Sequence, residues 1–178
     1  MTLIEHIELG SAQSSITFSS IPTDGTYTDL KLVMSLRGNA ASVYNDTYLQ
    51  FNGDTGSNYS MRRLYGTGSS AATDSLSSGS NYGRVGSSVG ANATANTFAN
   101  VEVYIPNYTS SSAKSFASNG VTENNASAVF ITLYADLWSG TSAISSITVT
   151  GLSTTLDQYS SATLYGITAG SDGTTTVS

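Results

Sequence analysis

The 178-residue chain has no cysteine, one histidine, two prolines and few charges, and each shortage closes off some chemistry. Without cysteine there are no disulfides, thiolate metal sites or thiol nucleophiles, so stability must come from packing and strand pairing. His6 stands alone, which would leave any metal site mainly to oxygen ligands. Only 10% of residues are charged, against about 25% in an average soluble protein. The six basic residues, Lys31, Arg37, Arg62, Arg63, Arg84 and Lys114, form no run longer than two, and the formal net charge is −6. Nucleic acid is therefore not an expected partner, because phosphate binding needs a dense basic surface. No apolar run approaches the roughly 20 residues of a membrane span. The opening MTLIEHIELG lacks a basic n-region and carries Glu5 and Glu8, so it is not read as a signal peptide, and no membrane partner is expected.

What is abundant is hydroxyl and alternation. Ser and Thr make up nearly a third of the chain, and a surface of hydroxyls and amides suits a protein that spends its life packed against neighbours. Apolar residues recur with period two, with no sustained helical stripe. Leu30, Leu32, Met34 and Leu36 share one strand face, with Lys31, Ser35 and Arg37 opposite, the pattern of a sheet with one side on a core. Val101, Val103 and Ile105 repeat it. Val129, Ile131, Leu133, Ala135 and Leu137 form the longest apolar row, while Phe130, Tyr134 and Trp138 line the other face, so 129–138 is expected to be central or covered on both sides. Shorter strands are expected at 3–9, 14–18, 46–51, 58–65, 114–118, 144–149 and 162–168. Turn signals punctuate them at Pro22-Thr-Asp-Gly25, Asn52-Gly53, Pro106-Asn107, Asn119-Gly120 and Ser139-Gly140. The expectation is one all-β domain over 1–178, an antiparallel β-sandwich of jelly-roll-like form. The Gly/Ser-rich stretch 66–97 lacks aliphatic rows and is expected to be a long mobile loop, ordered only by a neighbouring subunit, other packing contacts or dense packing of its own. The polar tail 170–178 poses the same question.

Two short motifs, a tripeptide and a pentapeptide, invite a catalytic reading, and both lack context. Asp54-Thr55-Gly56 has the form of an aspartic-protease loop, but no apolar strand leads directly into it. A hairpin between 46–51 and 58–65 accounts for the same residues. Gly86-Ser87-Ser88-Val89-Gly90 matches G-x-S-x-G, a motif that needs a preceding strand, a following helix and a downstream histidine. The single His6 lies upstream, and it reads as a solvent-facing strand residue between Ile4 and Glu8. The carboxylates at Asp24, Asp29, Asp46, Asp54, Asp74, Asp136, Asp157 and Asp172 are scattered and form no calcium loop. No catalytic, cofactor or metal residues are assigned, and the chain is not expected to be an enzyme. Asn-X-Ser/Thr triplets at Asn45, Asn58, Asn92, Asn107 and Asn125 are close to what this composition supplies by chance. The 11 tyrosines, among them Tyr44, Tyr48, Tyr59, Tyr65, Tyr104, Tyr108 and Tyr134, read mostly as strand residues, with a minority at subunit contacts.

The segment IELGSAQSSITFSSIPTDGTYTDLKLVMSLRGN at 7–39 resembles a group of small virion structural proteins of tailed phages, particularly cyanophages and their marine relatives. LQFNGDTGSNYS at 49–60, VEVYIPNYTSS at 101–111 and SSATLYGIT at 160–168 extend the likeness over most of the chain. The resemblance implies a particle component located in the virion. It implies either a capsid decoration or cement protein, commonly homotrimeric and bound to the major capsid protein, or a tail-fibre, head-fibre or receptor-binding module that recognises a glycan. A short chain with no heptad stalk favours the first.

Overall fold

The computed structural model describes residues 1–125 and 129–169, with the backbone alone at 77 and 78. Among them there is no helix and there are twelve strands. In chain order these are β1 (Thr2–Glu8), β2 (Ser15–Phe18), β3 (Asp29–Leu36), β4 (Tyr44–Phe51), β5 (Tyr59–Gly66) and β6 (Ala71–Ser80). The remainder are β7 (Gly83–Val89), β8 (Ala99–Ile105), β9 (Lys114–Val121), β10 (Ile131–Trp138), β11 (Ile147–Gly151) and β12 (Ser161–Ile167). They form an eight-stranded sheet of order β1-β12-β3-β8-β9-β10-β5-β6 and a four-stranded sheet of order β2-β11-β4-β7. Every named ladder is antiparallel, and the two sheets enclose one main core as a β-sandwich.

The alternation read along the sequence is the reason for the layers. Leu30, Leu32, Met34 and Leu36 of β3 are buried and stand beside Val101, Val103 and Ile105 of β8, their ladder neighbours. Ile16, Phe18, Leu49, Phe51, Ile147 and Val149 of the small sheet close over them. Each such side chain contributes about 1.5–3 kcal/mol on burial. One end of the core is aromatic: the Phe51 ring lies 5.1 Å from Phe116 and 5.4 Å from Trp138, centre to centre. Lys114, only 2% exposed, sits in that corner with its ammonium donating to the carbonyls of Ser110, Ser112 and Ser142.

Three sequence expectations need correction. The stretch 66–97 is not one loop, because it contains β6 on the edge of the large sheet and β7 on the edge of the small one. Backbone pairing to β5 and β4 orders these strands without aliphatic rows. The rest, 90–97, is tied down by the amides of Gly90, Ala91 and Asn92, which donate to the carbonyls of Val43, Ala40 and Ser42. Arg37 also donates to the carbonyls of Thr94 and Thr97 at 3.0 Å each. The chain thus orders this segment with its own strands. Asn119-Gly120 is likewise no turn: both lie inside β9, and neither has the positive φ of a type I′ corner. Asn52-Gly53 does have it, with φ of 53° and 66° and the Asp54 amide donating to the Phe51 carbonyl. Yet that turn makes no hairpin, because β4 and β5 belong to different sheets and the corner carries the chain from one to the other. The tail 170–178 lies outside the described residues.

Candidate interaction surface

In the large sheet, β10 lies between β9 and β5, so its backbone is central. Its side chains alternate in the opposite sense to β3. Thr132, Tyr134, Asp136 and Trp138 point inward and are buried, whereas Ile131 (63% exposed), Leu133 (57%) and Leu137 point out. Of the two expected arrangements β10 thus has the central one; among the described residues the small sheet covers one of its faces and nothing covers the other. Directly paired residues of an antiparallel ladder share a face, so the register defines the rows that cross this surface. Glu102, Asn119, Leu133 and Leu64 form one row. Tyr104, Ala117, Ala135 and Arg62 form the next, and Val121 and Ile131 stand together beyond Leu133.

Grooves run across these rows. One of about 720 Å³ is lined by Arg62, Leu64, Thr73, Ser75, Leu133 and Ala135 among others. A second, about 310 Å³, is lined by residues that include Lys31, Glu102, Tyr104, Asn119 and Leu133. A third, of about 240 Å³, is almost wholly apolar, between Leu64, Ala71, Ile131 and Leu133. The charges around them are unequal in their partners. Lys31 pairs with Glu102 at 2.9 Å across β3 and β8. Arg37, Arg63 and Arg84 also have carboxylate partners. Arg62 is exposed, and its guanidinium donates only to the carbonyls of Met61 and Leu76, with no carboxylate partner among the described residues. A row of uncovered aliphatic side chains beside one unpaired guanidinium is what a contact surface presents.

Behind β10 the interior is polar. Arg84 of β7 reaches both Asp46 of β4 and Asp74 of β6, and Arg63 of β5 pairs with Asp74 at 3.2 Å. These pairs link the edge of the small sheet to that of the large one where the hydrophobic core runs out. Asp136 is 2% exposed, and burial pushes its carboxyl up to about 8. One of its oxygens accepts from the Arg84 amide at 3.2 Å, and the other is buried without a partner among the described residues. The carboxyl is sealed from all of the grooves above, whose linings do not include it. Tyr48 stacks on Tyr82 at 3.8 Å beside this cluster, and burial raises its phenol.

The residues that the sequence singled out are occupied structurally. Asp54 accepts from the Trp138 indole at 2.6 Å, from the Gly56 amide at 2.8 Å and from the Asn58 side chain at 2.9 Å. The indole first, then Asn58 and Gly56, hold its carboxyl below the usual range, so it is an ionised clamp on the turn. Ser88, the central serine of G-x-S-x-G, is fully buried within β7. The flanking glycines answer to packing: a Cβ at Gly86 would lie 2.7 Å from Val101, and one at Gly90 would lie 2.2 Å from the Ser42 carbonyl oxygen. The match thus reflects close approach of backbone layers. His6 is exposed on β1, 2.8 Å from the Thr163 hydroxyl. Among the described residues no three His, Asp or Glu side chains gather as metal ligands do. Of the tyrosines, Tyr48, Tyr59, Tyr108 and Tyr134 are core residues, while Tyr104 stands on the open face and donates to Asp29 at 2.7 Å. The open face itself was missed in the sequence. No local signal marks it, because Asp136 in the row opposite Leu133 and Leu137 reads as the wet side of the strand.

Comparison with protein-family models, with curated proteins and with solved structures finds no match to this chain.

Proposed function

We propose that this chain is a structural component of a tailed-phage virion, a decoration protein that binds the assembled shell and stabilises it. The observation that carries the reading is the aliphatic group Leu64, Ile131, Leu133 and Leu137, left uncovered by the described residues on a chain with so little charge, which supports a subunit that works packed against neighbours. A sandwich that worked alone would have polar side chains on that face. The strand order supports the same reading by analogy of fold. Eight strands, β2, β3, β4, β5, β6, β7, β8 and β11, are distributed as β2-β11-β4-β7 and as β3-β8 and β5-β6. That order supports reading the sandwich as a double Greek-key jelly roll, an architecture common in capsid proteins and also in lectins and cupins. The β9–β10 hairpin is inserted between β8 and β5, and β1 and β12 are added outside β3. The insertion carries three of the four exposed aliphatic residues, Ile131, Leu133 and Leu137. The resemblance of 7–39 and the later segments points to the same particle.

The mechanism is mass action. A protein that binds only the assembled shell shifts the equilibrium toward that state. Heating particles that carry the protein and particles stripped of it tests this. The decorated particles are expected to rupture at the higher temperature, and equal rupture temperatures would overturn the reading.

A further inference from the structure

We propose that the open face of the large sheet is a two-fold interface between two copies of this chain. The inference rests on reading the chain as an assembly subunit, and it names what covers the uncovered row. It differs from the homotrimer that the resemblance implies.

Three features of the face argue for a second copy. The first is the placement of charge. Arg62 lies on β5, one strand to one side of β10, and Glu102 lies on β8, two strands to the other side. A two-fold axis between the facing sheets, running roughly along the strands between β9 and β10, sets β5 of each copy over β8 of the other. Arg62 then meets Tyr104 and Glu102 of the second copy, the glutamate offset by one row that an arginine side chain spans. The same operation repeats the pair on the far side, as an isologous contact requires. Arg62 is an exposed cation with no carboxylate partner among the described residues, and this contact gives it a share of Glu102, whose carboxylate also holds Lys31 of its own copy at 2.9 Å.

The second feature is the centre. Around that axis lie the small pair Ala117 and Ala135, then Leu133 beside the polar Asn119, with Val121 and Ile131 beyond them. Small residues at the middle let two sheets approach to the usual spacing of about 10 Å, and Leu133 and Ile131 fill the space between them. The third is area. Six strands, β3 to β6 and centred on that axis, about 4.8 Å apart and about 25 Å long, give a footprint of roughly 700 Å² before side-chain relief. That lies in the range of a stable pair, which buries about 800 Å² per partner.

Sedimentation equilibrium of the full chain tests the proposal. The wild type is expected to associate to twice its monomer mass. Leu133→Asp, on a solvent-facing position, is expected to stay folded by circular dichroism and to sediment as a monomer. Arg62→Glu and Glu102→Arg are each expected to weaken association at least about tenfold, and the double exchange to restore it. A wild type that stays monomeric at every concentration, a trimer indifferent to Leu133→Asp, or a double exchange no better than either single one would each overturn it. A monomeric chain that needs Leu133 to bind purified shells would assign the face to the shell instead. Loss of self-association leaves the rupture experiment unaffected, so the two readings fail separately.

Discussion

Strands β3 and β10 belong to one sheet, have eight residues each and alternate equally strictly, but their faces are chemically reversed. In β3 the leucines and Met34 point into the core and Lys31 points out. In β10 Thr132, Tyr134 and Asp136 point in, while Ile131, Leu133 and Leu137 point out. The difference follows from what lies above each strand. The aliphatic rows of β2, β11 and β4 close over β3 and β8. Behind β10 stand Arg84 and its carboxylates, bridging from β7 to β6. Period two assigns residues to faces, and the neighbour across the layer decides which face is wet.

Substitution separates the two strands most sharply. Leu32→Ala, on the buried row of β3, is expected to cost about 3–5 kcal/mol, whereas Leu133→Ala on β10 is expected to stay within about 0.5 kcal/mol for the monomer. Denaturant unfolding of both variants checks this, and equal losses would mean that the outer face of β10 is packed within the chain. The next effect is one of pH. The Asp136 carboxyl keeps its proton in the folded state up to about pH 8, whereas in the unfolded chain it ionises near 4. Between those values the folded state binds more protons, so the stability that Asp136 contributes is full below pH 4 and is lost as pH rises toward 8. Asp136→Asn is expected to flatten that decline, by at most about 4 kcal/mol over three pH units for one proton. A variant with the wild-type slope between pH 5 and 8 would contradict the sealed carboxyl. The smallest effect is at the turn beside Trp138. Asp54 titrates in the opposite direction, because its lowered carboxyl contributes stability above pH 4 that is lost as pH falls. Asp54→Asn is expected to cost about 1–2 kcal/mol at neutral pH and to remove part of the acid limb from the unfolding profile.

Much of the architecture is legible in the sequence, and the failures share a cause. Ten strands announce themselves as apolar alternation or as β-rich runs, with Leu30, Leu32, Met34 and Leu36 as the clearest case. β6 and β7 do not, because AATDSLSSGS and GRVGSSV carry no apolar rows, and their order comes from backbone ladders and from Arg84. Asn119-Gly120 carries a strong turn signal, yet it runs through β9 because partners on both sides complete the ladder. The candidate site was the least legible part. A leucine or isoleucine in a strand reads as interior from its own chemistry, so the row from 129 to 137 pointed to a covered strand.

The sequence by itself determined the class of the fold, the faces of most strands and the lack of residues for thiol or multi-histidine metal chemistry. These follow from local period, composition and count, properties that each segment carries alone. Only the tertiary structure decided that Asn52-Gly53 joins two sheets, that Ser88 is buried in a strand, and that Leu133 and Arg62 share an open face. Each depends on which segment lies across a layer or beside a ladder, and pairing between residues far apart in the chain has no counterpart in local pattern.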